Sequence, residues 1–298
     1  MAQITANNIK IEAESFGPAG GETVLLIMGL GGQLTRWPLP LVEMLTAKGY
    51  RVIRFDNRDV GLSEHFEKAG PISLADLMSD MAAGRKPRAA YLLDDMAADA
   101  VGVLDAFGVK RAHIVGASMG GMIAQMVAAN HGERTLSLVS IMSSTGNRAL
   151  PPATPEAMAV LTTRADPSDF EKFVAHGIRA QKIIGSPGYP PDETQLRERI
   201  ISDFHRAYDP DGVTRQMAAV MASGDRRAAL KRIKAPTVVL HGADDPLVPL
   251  AGGKDTAENI AGAELRVIPG MGHDLPPALF PAVVDAIEAA AARARAMA

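Results

Sequence analysis

Ser118 lies in the stretch IVGASMGGM (114–122), where three glycines crowd one hydroxyl. A serine hydroxyl is a weak nucleophile until a base takes its proton. The pattern Gly116-Ala117-Ser118-Met119-Gly120 follows a strand-like run, RAHIVG (111–116), and precedes a helix-like one, MIAQMVAANHG (122–132). In that context G-x-S-x-G is the turn that thrusts a serine Oγ out above a sheet. Gly116 and Gly120 stand where strand and helix nearly touch, and Gly121 lets the helix start close to the strand. The competing reading is a glycine-rich turn with an incidental serine. Its position between a strand and a helix argues against chance.

An activated serine demands an imidazole, and the chain has seven histidines. His113 falls inside the strand before Ser118 and reads as packed, and His131 as a helix-end contact. His65 falls in a loop, His241 ends a strand, and His176 and His205 read as surface or capping residues. His273 differs, because IPGMGHDLPP places it in a Gly- and Pro-shaped loop at the C-terminal end of the last strand. Loops at those ends share one rim of a parallel sheet with Ser118, so His273 is the expected base. The imidazole needs a carboxylate to fix its tautomer. HGADDPLVP offers Asp244 and Asp245 on the same rim. Asp245 is favoured because Pro246 holds it extended. Asp274 is a nominal rival, but adjacent side chains of an extended loop point apart. Backbone N–H donors for an oxyanion would come from Met119 and from Leu30 in MGLGGQ (28–33).

The elements that must position these groups follow from periodicity. QITANNIKIEAESF (3–16) reads as two strands around an Asn7-Asn8 turn. TVLLIMG (23–29), YRVIRFD (50–56), RAHIVG (111–116) and LSLVSIMSS (136–144) read as buried strands. Between them, PLPLVEMLTAKG (38–49) and LLDDMAADAVGVLDAFG (92–108) read as helices that close on glycine. From about 147 to 228 the strands stop and prolines and charged helical stretches take over. APTVVLHG (235–242), a helical GKDTAENIAG, AELRVIPG (263–270) and a helix from about 280 then restore the alternation. The expectation is an α/β fold: a mostly parallel central sheet with helices on both faces. Residues 1–146 and 229–298 would form one interrupted core, with 147–228 a helical insertion. Phe170, Phe173, Ile183, Ile184 and Tyr189 of that insertion are expected to wall an apolar substrate pocket.

With these residues in place the chain resembles an α/β-hydrolase over its full length. The resemblance is carried by LLIMGLGG, RVIRFDNRDVGLS, HIVGASMGGMIAQ, TVVLHGADDPLVP and LRVIPGMGHDLP. The order Ser118, Asp245, His273 is that of the superfamily. Within it the chain most resembles serine esterases of the aclacinomycin methylesterase type, which share a V-M-G rather than H-G start to the oxyanion loop. Met28 stands where an oxyanion-loop histidine is common. The resemblance implies hydrolysis of a carboxylic ester through an acyl-enzyme, a helical cap and no cofactor. It matches Asp56 and Arg58 to a structural salt-bridge position. Carbon–carbon bond hydrolases and perhydrolases use the same triad and are the alternative chemistry.

Bulk composition narrows the remaining classes. The chain has 298 residues, 47% hydrophobic and 22% charged, with a net charge of −3 and no cysteine. Nothing basic points to nucleic acid, and disulfides, thiolate metal sites and a cysteine nucleophile are excluded. No H-E-x-x-H or clustered ligand set suggests a metal. The first residues carry no leader pattern, and no run approaches the ~18 apolar residues of a membrane helix. A cytoplasmic protein acting on a small-molecule ester, without membrane or nucleic-acid partner, is expected, and oligomeric state is left open. Gly29-Leu30-Gly31 after a strand imitates a dinucleotide site, but Leu34 occupies the third glycine position.

Overall fold

In the computed structural model, which describes residues 2–297, eight strands form one sheet. They are β1 (Ala2–Ala6), β2 (Ile9–Phe16), β3 (Thr23–Ile27), β4 (Arg51–Phe55), β5 (Ala112–Ala117), β6 (Thr135–Ile141), β7 (Thr237–Gly242) and β8 (Glu264–Ile268). Their order is β1-β2-β4-β3-β5-β6-β7-β8. β1 and β2 pair antiparallel, as do β2 and β4, and every pairing from β4 to β8 is parallel. Asn7 and Asn8 join β1 to β2 with φ of 49° and 63°. Two consecutive left-handed residues make the turn whose twist suits a hairpin.

The apolar run of β3 divides by parity, because successive side chains leave a strand on opposite faces. Val24 and Leu26 join one core with α1 (Leu39–Ala47) and α11 (Phe280–Arg295). Leu25 and Ile27 join the other with α3 (Leu93–Ala106) and α4 (Met119–Asn130). Burial on both faces explains why the strand sequences run apolar instead of alternating. A short α2 (Leu74–Ala82), capped by Ser73, follows β4 where the sequence suggested no element.

Between β6 and β7 the chain forms α5 (Pro155–Thr162), α6 (Phe170–Ile184), α7 (Glu193–Arg206), α8 (Pro210–Ser223) and α9 (Arg227–Leu230), and no strand. Thr154, Asp169, Asp192 and Asp209 cap the first four, each accepting from backbone N–H groups of the first turn. α6 and α7 pack through Val174, Leu196 and Ile200, a small cluster separate from the two faces of the sheet. Helix α10 (Leu250–Glu258) makes the crossover from β7 to β8. No helix among the described residues is long and apolar enough to cross a membrane.

Candidate active site

β5 ends at Ala117 and α4 begins at Met119, so Ser118 alone makes the bend, with φ 56° and ψ −122°. The helix starts three residues earlier than its apolar periodicity suggested, because glycine at 120 and 121 lets its first turn sit against the strand. A Cβ on Gly116 would overlap the Gly120 carbonyl, and one on Gly120 would overlap the Ile27 carbonyl of β3. A left-handed non-glycine residue stores about 1–3 kcal/mol of strain and persists only where its surroundings impose it. Here the Ser118 N–H is tied to the Ile141 carbonyl at 2.9 Å. The hydroxyl is left half-buried at the C-terminal rim of the sheet.

His273 reaches that hydroxyl from the loop after β8, with Nε2 2.9 Å from Ser118 Oγ. Its Nδ1 lies 2.7 Å from Oδ2 of Asp245, in the loop after β7. The remaining oxygen of Asp245, Oδ1, accepts the N–H groups of Leu247 and Val248 at 2.9 and 2.8 Å. Asp245 and His273 are 6% and 8% exposed, so little water competes for these bonds. Asp244 points elsewhere and accepts the Gly270 N–H at 2.8 Å. Asp274 also turns away, toward Gln181 and Ser186. A second imidazole, His241, lies 3.8 Å from Asp245 and hydrogen-bonds the Val248 carbonyl through Nε2. Burial holds its pKa below the ordinary value, so it stays neutral there.

The loop after β3 passes over Ser118. A Cβ on Gly29 would lie 3.0 Å from the Ser118 Cβ, so any larger residue here would press on the serine. Among the described residues the N–H groups of Leu30 and Met119 have no hydrogen-bond partner. Asn57 Nδ2 donates to the Met28 carbonyl at 2.8 Å, and Gln216 of α8 accepts the Gly31 N–H at 2.9 Å. These two side chains fix the loop, and neither carries a local sequence signal that would have marked it.

The family defined by the alpha/beta hydrolase fold matches residues 22–185, a span that contains β3, the Ser118 bend and the start of the helical segment. The chain belongs to the α/β-hydrolase family. It is similar to rhodomycin D methylesterase DnrP of Streptomyces peucetius, 27% identical over 95% of each chain. RutD of Variovorax paradoxus, proposed by its name to be a carbamate hydrolase, is 31% identical over 87% of this chain and 88% of its own. Among solved structures, the meta-cleavage product hydrolase CumD of Pseudomonas fluorescens superposes with a TM-score of 0.74 at 21% identity, covering 97% of this chain and 98% of the other. At that identity CumD speaks for the fold alone. The methylesterase likeness drawn from the sequence therefore extends over nearly the whole length of the hydrolase.

A cavity of about 530 Å³ opens above Ser118 and His273 in this α/β hydrolase. Its floor is the loop after β3, and its roof comes from α6, α7 and α8. Along α6 the lining falls at Phe173, His176, Gly177, Ala180, Gln181 and Ile184, a stripe of three- and four-residue steps on one face. The expected wall is corrected by the phase of that helix. Phe173 and Ile184 face the cavity, whereas Ile183 turns to a separate cleft beside Ala175 and Ile178. Phe170 packs against Phe173, Phe204 and His205, beyond the end of the cavity. Tyr189 leans on the core, its hydroxyl donating to the Pro269 carbonyl at 3.3 Å. Arg199 also lines the cavity. Burial and the neighbouring Arg36 draw its guanidinium down to about 10.

Asp56 and Arg58 do not pair with each other in the hydrolase. Asp56 meets Arg206 of α7 at 2.8 Å, and Arg58 meets Asp99 of α3 at 2.6 Å. Among the described residues, Asp59, His65 and Asp209 have metal-ligand spacing. Arg215 already supplies a cation there, at 2.7 Å from Asp59 and 3.1 Å from Asp209. Against the pull of burial, the Gly61 carbonyl and then Asp209 hold His65 above its ordinary pKa. The arrangement reads as an ion network tying α8 to the loop after β4.

Proposed function

We propose that this hydrolase cleaves carboxylic esters through an acyl-enzyme, with Ser118 as nucleophile, His273 as base and Asp245 as its orienting carboxylate. The observation that carries the reading is the unbroken series from Asp245 Oδ2 to His273 Nδ1 and from His273 Nε2 to Ser118 Oγ, at 2.7 and 2.9 Å, on the floor of a substrate-sized cavity. Ser118 Oγ attacks the ester carbonyl carbon as His273 Nε2 takes the hydroxyl proton. The carbonyl oxygen becomes an oxyanion held by the N–H groups of Leu30 and Met119. Collapse breaks the carbon–oxygen bond to the alcohol, which leaves with the proton from His273. A water then gives its proton to His273 and its oxygen to the acyl carbon. The acid departs, and Ser118 regains its proton. Asp245 accepts a hydrogen bond from Nδ1–H throughout, without taking the proton, and stabilises the imidazolium.

Residues 147–228 act as a cap over this site, inserted into a core of 1–146 and 229–298. The apolar lining from Met28, Val60, Phe173, Ile184, Val213 and Met217 favours small to medium apolar esters. The methylesterase name carried by DnrP supports ester cleavage. A panel of p-nitrophenyl esters of graded chain length and methyl esters of bulky aromatic acids, run on wild type and Ser118→Ala together, tests the reading. Ser118→Ala should keep its fold and lose at least about 10³-fold in kcat. Near-wild-type turnover by Ser118→Ala would remove the nucleophile.

A further inference from the structure

His273 is not held by the core alone. Its backbone N–H donates to the Ile184 carbonyl at 2.7 Å, and Ile184 is the last residue of α6. One residue earlier, the Gly272 N–H donates to Ser186 Oγ at 2.9 Å. One residue later, Asp274 accepts from the Ser186 N–H at 3.0 Å, from the Ser186 hydroxyl, and from Gln181 Nε2 at 2.8 Å. Among the described residues every donor to Asp274 thus comes from the segment 181–186. Backbone closeness fixes the joint further, since a Cβ on Gly272 would overlap the Gly185 carbonyl. Burial pushes the Asp274 carboxyl up, and the Ser186 hydroxyl and N–H, with Arg199 and His273 nearby, pull against that rise.

We propose that Asp274 is a positioning residue that locks the end of α6 onto the His273 loop and so sets the imidazole against Ser118. This rests on the triad reading above. A displaced α6 would take away the acceptor of the His273 N–H, so docking of the helical segment and competence of the base are one event. Misplacing a reacting group by about 1 Å can cost about 10²-fold in rate.

The test separates positioning of the base from shaping of the cavity. A small phosphonofluoridate reacts when Ser118 Oγ bonds to phosphorus, fluoride leaves and His273 takes the proton. It needs the base but little of the cavity. In Asp274→Asn the new amide N–H₂ faces the Gln181 N–H₂, and both kcat for p-nitrophenyl acetate and the inactivation rate should fall at least about tenfold. Pairing Asp274→Asn with Gln181→Glu restores donor to acceptor and should recover both rates to within about threefold of wild type. Ser186→Ala, which removes one bond to Asp274 and one to Gly272, should lower both rates if Asp274→Asn fails to fold. Unchanged inactivation by folded Asp274→Asn, or by folded Ser186→Ala in its place, would overturn the proposal. So would a double variant no faster than Asp274→Asn. Failure of wild type to be labelled at Ser118 would instead overturn the triad reading itself.

Discussion

Asp245→Asn should disable the base through its tautomer, and the surroundings of Asp245 dictate which way the amide lies. Oδ1 is claimed by two backbone N–H groups, Leu247 at 2.9 Å and Val248 at 2.8 Å. An asparagine keeps these bonds only by placing its oxygen there, which turns its N–H₂ toward His273 Nδ1. The imidazole then accepts at Nδ1 and carries its proton on Nε2, where it cannot take one from Ser118. Flipping the amide to preserve the working tautomer forfeits two hydrogen bonds at about 1 kcal/mol each, about 2 kcal/mol in all. That alone makes the working arrangement about 30-fold rarer. Leaving two buried donors facing an N–H₂ adds further, toward the ~10⁴-fold loss of a triad whose aspartate becomes asparagine. Asp244→Asn removes charge from a group that accepts one N–H, that of Gly270, and should cost less than about threefold. Initial rates on p-nitrophenyl acetate, with thermal melts to verify folding, compare the two. Asp245→Asn within threefold of wild type, or milder than Asp244→Asn, would refute the reasoning.

Gly29→Ala would set a methyl 3.0 Å from the Ser118 Cβ and 3.1 Å from the Ala117 carbonyl. It should lower kcat at least about fivefold with the circular dichroism spectrum unchanged, since a few tenths of an ångström at the nucleophile suffices. Stability should fall as pH drops below the ordinary histidine value of about 6.5, because burial depresses both His113 and His241. The unfolded chain binds their protons first, so the stability present above that pH is lost as pH falls through the depressed folded values. Urea midpoints at pH 7.5 and 5.5 measure this, and His113→Gln with His241→Asn should flatten the slope.

The serine, the carboxylate and the imidazole were legible because each sits in a loop at the end of its own strand, and parallel strands bring those loops to one rim. Gly116 and Gly120 announced the bend, since only closely packed backbone requires both. Ser186, Gln181 and Gln216 were not legible. Each acts across contacts 86 to 185 residues apart in sequence, which no local pattern encodes. Asp274 was visible only as a rival to Asp245, and its actual partners, Gln181 and Ser186, lie at the end of α6 and just beyond it. The wall of the cavity was read only in part, for a different reason. Amphipathic spacing gives the period of α6 but not which face meets the sheet, so Phe173 and Ile184 line the cavity while Ile183 does not. Arg199 and His176 escaped because a charged or polar residue on a helix is most simply a solvated one.

The inserted helices interrupt the strands of the sheet in sequence, and this shapes how it is made on the ribosome. β6 gains its second neighbour only when β7 emerges, yet residues 142–236 must be translated first. At about 5–20 residues per second, the hydrogen-bonding edge of β6 stays open for on the order of ten seconds. α11, which packs across β6 and β7, arrives later still. Until then a half-built sheet with a naked hydrogen-bonding edge is the species that chaperones and neighbouring nascent chains encounter.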